Sequence, residues 1–133
     1  MKRLVWILPV IILSSVLVFS FAAEKTDSQE GKGLLRHFVS FKFKEDATPE
    51  QIKIVEDAFQ ALPKKIDCIA DFEMGTNVSP EKLNKGFTDC FLLTFKTAKD
   101  RDAYLVHPAH KEFGQTLGTL ACVDDVFVVD YWN

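Results

Sequence analysis

No Cys-x-x-Cys pair, no glycine-rich phosphate loop and no basic cluster occurs in this chain of 133 residues. The first absence removes a thioredoxin-type redox site, and the other two remove nucleotide phosphates and nucleic acid as expected partners. Cysteine is sparse and odd in number, with Cys68, Cys90 and Cys122 only. An odd count cannot give a fully paired framework, and each thiol sits among apolar residues. Three buried free thiols are therefore expected, with a single disulfide as the alternative. Apolar runs are equally scarce beyond the first two dozen residues. That run, Leu4 to Phe21, follows Lys2 and Arg3 and ends in Ala22 and Ala23. This is the layout of a secretory leader, cleaved after Ala22 or Ala23, with an uncleaved membrane anchor as the alternative. Export to a periplasmic or extracellular space follows as an expectation, and an uncleaved leader would be the protein's one link to a membrane.

Residues 24–33 are polar and read as a disordered linker. The remainder, residues 34–133, has the length of one small domain. Without Lys2 and Arg3, 14 basic residues face 19 acidic ones, a net charge of about −5.

Within the domain, Leu34 to Lys44 alternates, with His37, Val39, Phe41 and Phe43 on one face of a strand. Thr48-Pro-Glu-Gln51 is a capping box that opens a helix carrying Ile52, Val55, Phe59 and Leu62 as one stripe. Pro63 and the lysines after it are expected to end that helix. Cys68 to Val78 reads as a second strand with Gly75 as a possible bulge, and Phe87 to Phe95 as a third. In the third strand Asp89, Phe91, Leu93 and Phe95 share a face. Thr97, with Asp100 as its box partner, starts a short helix; Pro108 starts another, ending near Leu120. Asp124 to Trp132 closes the chain as a strand, with Val126, Val128 and Asp130 on one side and Phe127, Val129 and Tyr131 on the other.

The order β-α-β-β-α-(α)-β predicts an α+β domain of the ferredoxin-like split type, an antiparallel sheet with helices on one face. The uncovered face would carry Phe38, Leu92, Phe127, Val129 and Tyr131. A patch so apolar is rarely left in water, which points to a symmetric homodimer packed sheet to sheet.

The residues richest in chemistry lie between Asp102 and His110, where Tyr104, His107 and His110 surround Pro108. The proline puts Tyr104 late in one helix and His110 in the first turn of the next, a geometry that can point both rings into one cavity. Each also has a purely structural reading: Tyr104 as core, His110 as a satisfier of local backbone groups, His107 as a cap. Asp130 among valines requires a partner, and either His37 or His110 can serve. A carboxylate beside His110 would raise its pKa. His37, Asp89, Asp130, His107 and His110 could also supply zinc-type ligands, but Pro108 spoils the His107–His110 register; no metal and no cofactor are expected.

Taken together, Leu35-Arg-His-Phe-Val-Ser-Phe-Lys-Phe43, Ala61-Leu-Pro63, Glu73-Met-Gly75, Tyr104 with His107-Pro-Ala-His110, and Val128-Val-Asp-Tyr131 resemble the stress-responsive dimeric α/β-barrel (Dabb) family. The resemblance spans Leu34 to Trp132. It implies a homodimer whose two sheets close into one barrel with helices outside, but little about activity. One plant branch, a polyketide cyclase, uses a Tyr and a His in an aldol-type closure, and these fall on Tyr104 and His110. Its first-strand His and closing-strand Asp fall on His37 and Asp130. Asp89 departs from that branch, which has a further His there, so its substrate is not implied. The expected pocket has walls of Val39, Phe41, Phe59, Phe91, Leu93 and Val126, with Tyr104, His110, His37, Asp89 and Asp130 as polar groups. Three functions follow: a module binding a small, weakly polar ligand; a cofactor-free lyase or cyclase with His110 as base and Tyr104 as its partner; or a structural dimer with a filled core.

Overall fold

A computed structural model describes residues 33–133, so the leader and nearly all of the linker lie outside the described residues. The elements run β1 (Leu35–Phe43), α1 (Pro49–Gln60), α2 (Leu62–Lys65), β2 (Asp71–Thr76), β3 (Phe87–Phe95), α3 (Ala98–Val106), α4 (Pro108–Leu120) and β4 (Val123–Trp132). The strands form one antiparallel sheet ordered β2-β3-β1-β4. This is the expected ferredoxin-like arrangement.

Local chemistry sets the helix starts. The Thr48 hydroxyl accepts from the Gln51 amide at 3.2 Å, and the Gln51 side chain accepts from the Thr48 amide at 2.9 Å. Two orphan donors of the first turn are thereby satisfied, and Pro49 needs no partner at the first position. Thr48→Ala should therefore lower stability by about 1 kcal/mol, read as a shift of the urea midpoint with an unchanged slope. Three details differ from expectation. Pro63 does not end α1; the helix stops at Gln60, and Pro63 falls early in the extra turn α2. The second strand is shorter than Cys68 to Val78, because Ile69 turns back onto the Ile66 carbonyl. No bulge occurs at Gly75, whose pairing with Cys90 is in register; the irregularities lie at Phe41/Lys42 and Lys42/Phe43 instead.

The core lies between the helices and the two central strands. Val39 and Phe41 of β1, Phe91, Leu93 and Phe95 of β3, Val55 and Phe59 of α1, and Phe113 of α4 are all buried. Phe59 stacks on Phe91 with ring centroids 4.1 Å apart and planes within 8°. The other sheet face is bare: Phe127, Val129 and Tyr131 are 49%, 39% and 46% exposed. The three cysteines are free thiols; Cys122 is buried, while Cys68 and Cys90 are only half-buried. Among the described residues no helix is long and apolar enough to cross a membrane.

Candidate functional site

β4 is an edge strand that the helices do not cover, so Val126 and Val128 on its helix side remain 44% and 50% exposed. The gap between that strand and α3 and α4 is a cavity of about 380 Å³. Its polarity follows from strand register. His37 pairs with Asp130, Val39 with Val128 and Phe41 with Val126, so walking along β1 leads from a polar end to an apolar one. Tyr104 and His110 join the polar end, while Phe59, Phe113 and Leu117 line the rest.

The polar end is built by the break between α3 and α4. Pro108 has no amide proton, and the His107 ring accepts from the Ala109 amide at 3.1 Å, as a cap should. The Ala109 amide is thus diverted from the Leu105 carbonyl, its partner in an unbroken helix. His110 Nδ1 takes that carbonyl instead, at 3.2 Å. A carbonyl can only accept, so Nδ1 carries the proton and the neutral ring keeps its lone pair on Nε2. The imidazole sits against the Tyr104 ring with centroids 4.5 Å apart.

Asp130 answers His37, at 2.6 Å from Nδ1, and not His110. The expectation that a carboxylate raises the His110 pKa is therefore corrected. Burial pushes it below the ordinary value and nearby His37 adds to this, against a smaller opposing effect of the Leu105 carbonyl. The Tyr104 hydroxyl is pushed up, chiefly by burial and secondarily by Cys68, so it stays protonated.

Of the expected pocket residues, Tyr104, His110, His37, Val39, Phe41, Phe59, Val126 and Asp130 line the cavity. Asp89, Phe91 and Leu93 do not, because β3 lies on the far side of β1 from β4. Phe91 and Leu93 are filled core. Asp89 is buried elsewhere, accepting from Thr88 at 2.6 Å and raising the pKa of Glu56, on which burial acts more strongly. Among the described residues no three His, Cys, Asp or Glu side chains gather as a metal site. The sequence reading missed Arg101, which binds Asp130 from α3. Its signal was present: it precedes Tyr104 by three residues and so shares that helix face.

The family model described as Stress responsive A/B Barrel Domain matches residues 35–133. The stress-response A/B barrel domain-containing protein HS1 of Arabidopsis thaliana is 34% identical over 103 residues, 77% of this chain and 93% of its own. Olivetolic acid cyclase of Cannabis sativa is 28% identical over 80 residues, 60% of this chain and 79% of its own. A crystal structure from Bacteroides fragilis, described as a dimeric protein of ferredoxin-like fold and unknown function, is 28% identical with a TM-score of 0.62. That alignment covers 76% of this chain and 97% of the other.

Proposed function

This chain belongs to the stress-responsive A/B barrel (Dabb) family, and we propose that it is a homodimeric module holding a small, largely apolar ligand beside Tyr104 and His110. The observation that carries this reading is the graded cavity, apolar at Phe41, Phe59, Phe113 and Leu117 and polar at His37, Asp130, Tyr104 and His110. Apolar walls with a few convergent polar groups are the pattern of small-molecule sites. The bare face of Phe127, Val129 and Tyr131 supports a sheet-to-sheet dimer, as does the dimeric Bacteroides relative. The leader-like first 23 residues support export of the domain.

A second reading, cofactor-free lyase or cyclase chemistry, is favoured by one pairing. His110 is neutral with its lone pair on Nε2, and Tyr104 beside it is a protonated phenol. A base and a hydrogen-bond donor in one apolar cavity are the parts that proton abstraction needs. The relative named as a cyclase is consistent with it.

Native mass spectrometry on protein from its own host is expected to give a dimer with the added mass of a small organic molecule. A bare dimer, with no thermal shift across a broad metabolite panel, would remove the ligand from this reading. A monomer at micromolar concentration would remove the dimer.

A further inference from the structure

Among the described residues, Arg101 is the polar tie between α3 and the edge strand. Its guanidinium binds Oδ2 of Asp130, while its Nε donates to Asp102 at 2.8 Å. The opposite carboxylate oxygen of Asp130, Oδ1, accepts from His37 Nδ1. Arg101 stays charged and prefers planar, fixed carboxylate partners, so it pins the plane of Asp130. A pinned Oδ1 holds the His37 proton on Nδ1 and leaves Nε2 as the nitrogen free for the cavity that the ring lines. Finally, Arg101 itself does not line that cavity, so its charge is spent on Asp130 and Asp102. The other titratable groups against His37 are Tyr104 on α3 and His110 on α4.

We propose that Arg101 is a positioning residue that locks His37 in its Nδ1–H form, so that the cavity presents two unprotonated imidazole nitrogens and a phenol, and selects an uncharged hydrogen-bond donor over an anion. The ligand half of this proposal rests on the ligand-site reading above. An anionic head group would meet the Asp130 carboxylate with its only cation already taken. An alcohol or enol hydroxyl would donate to Nε2 of His37 or His110 and accept from Tyr104.

The test is nitrogen-detected NMR of the imidazoles in the whole protein at neutral pH, without ligand and then with hexanol or hexanoate. These two probes share a tail and differ in charge. In the wild type His37 is expected as the Nδ1–H form, with hexanol shifting its signals and hexanoate not. Arg101→Met frees the Asp130 carboxylate to turn, so the His37 signals should leave the pure Nδ1–H pattern and the shift caused by hexanol should shrink several-fold, while Arg101→Lys should restore most of the wild-type pattern. A wild-type His37 protonated on Nε2, or unchanged His37 signals in Arg101→Met, overturns the proposal. If Arg101→Met does not fold, Arg101→Gln decides: it removes the charge and keeps a hydrogen-bond donor towards Asp130, and unchanged His37 signals there overturn the proposal equally. No shift with either probe, with the imidazole spectra as expected, would overturn the ligand-site reading and not the role of Arg101.

Discussion

On the lyase or cyclase reading, His110→Ala is expected to lower the rate of base-catalysed proton exchange by roughly a hundred- to ten-thousand-fold, while the urea midpoint barely moves. The probe is a β-diketone with a short alkyl tail, its acidic C–H protons followed by deuterium exchange. The size of the effect follows from what the ring holds in place. Its Nδ1–H is fixed by the Leu105 carbonyl and its lone pair is on Nε2, so alanine removes the base and not merely a contact. Tyr104→Phe keeps the ring packing and removes only the donor, and should cost less. The pH dependence has a definite sign. Burial holds the His110 pKa below its ordinary 6.5, so the acid limb of the rate profile lies below 6.5 and the rate is level at neutral pH. Stability carries the same signature. Between that lowered value and 6.5 the unfolded chain binds the proton more readily, so the His110 contribution is complete above 6.5 and lost as the pH falls through the window. Exchange by His110→Ala equal to that of the wild type would end the enzymatic reading and leave the binding one.

Phe59→Ala destabilises the domain by about 3–5 kcal/mol. Its ring is buried at the centre of an aromatic cluster, stacked on Phe91 at 4.1 Å and edge-on to Phe113 at 5.0 Å. Phe41 and Phe72 flank it at 6.0 and 5.9 Å. Helix α1 and strand β3 cannot close over the void, because each is pinned by its own hydrogen bonds, so the loss includes contacts as well as transfer energy. A small domain has only about 5–15 kcal/mol in total, so the variant stands near the edge of folding. The urea midpoint should fall by on the order of 2 M at fixed protomer concentration. A fall of less than about 0.5 M would mean that the cluster repacks and the cavity is not walled by a rigid core.

Much of the fold was legible because its signals are local. Thr48, Pro49 and Gln51 define the start of α1 through bonds that span three residues, and Pro108 defines the start of α4 in the same way. Burial alternates from Thr88 to Leu93 because the two faces of β3 are occupied differently. What remained hidden depends on which strand lies beside which. Asp89 and Asp130 look alike in sequence, each a carboxylate at a helix-facing position. Only the order β2-β3-β1-β4 brings Asp130 to the cavity and sends Asp89 to Glu56 on the other side of β1. The partner of Asp130 was likewise a matter of register: His37 stands directly opposite it, an alignment that no spacing within β1 or β4 announces. Arg101 was overlooked because its partner lies 29 positions away on another element.

The interruption between α3 and α4 bears on how such a site could be moved or lost. A helix continuing through residues 105–110 would be locally more favourable, with Leu105 bonded to Ala109 in the ordinary way. The chain forgoes that regularity, and the carbonyl so released becomes the anchor of the His110 ring. Grafting Tyr104 and His110 alone onto another helical hairpin would therefore transfer two rings without their orientation. The transferable unit is the dislocation itself, Leu105 through His110, and selection for straighter, stabler helices would erase the chemistry before touching either side chain.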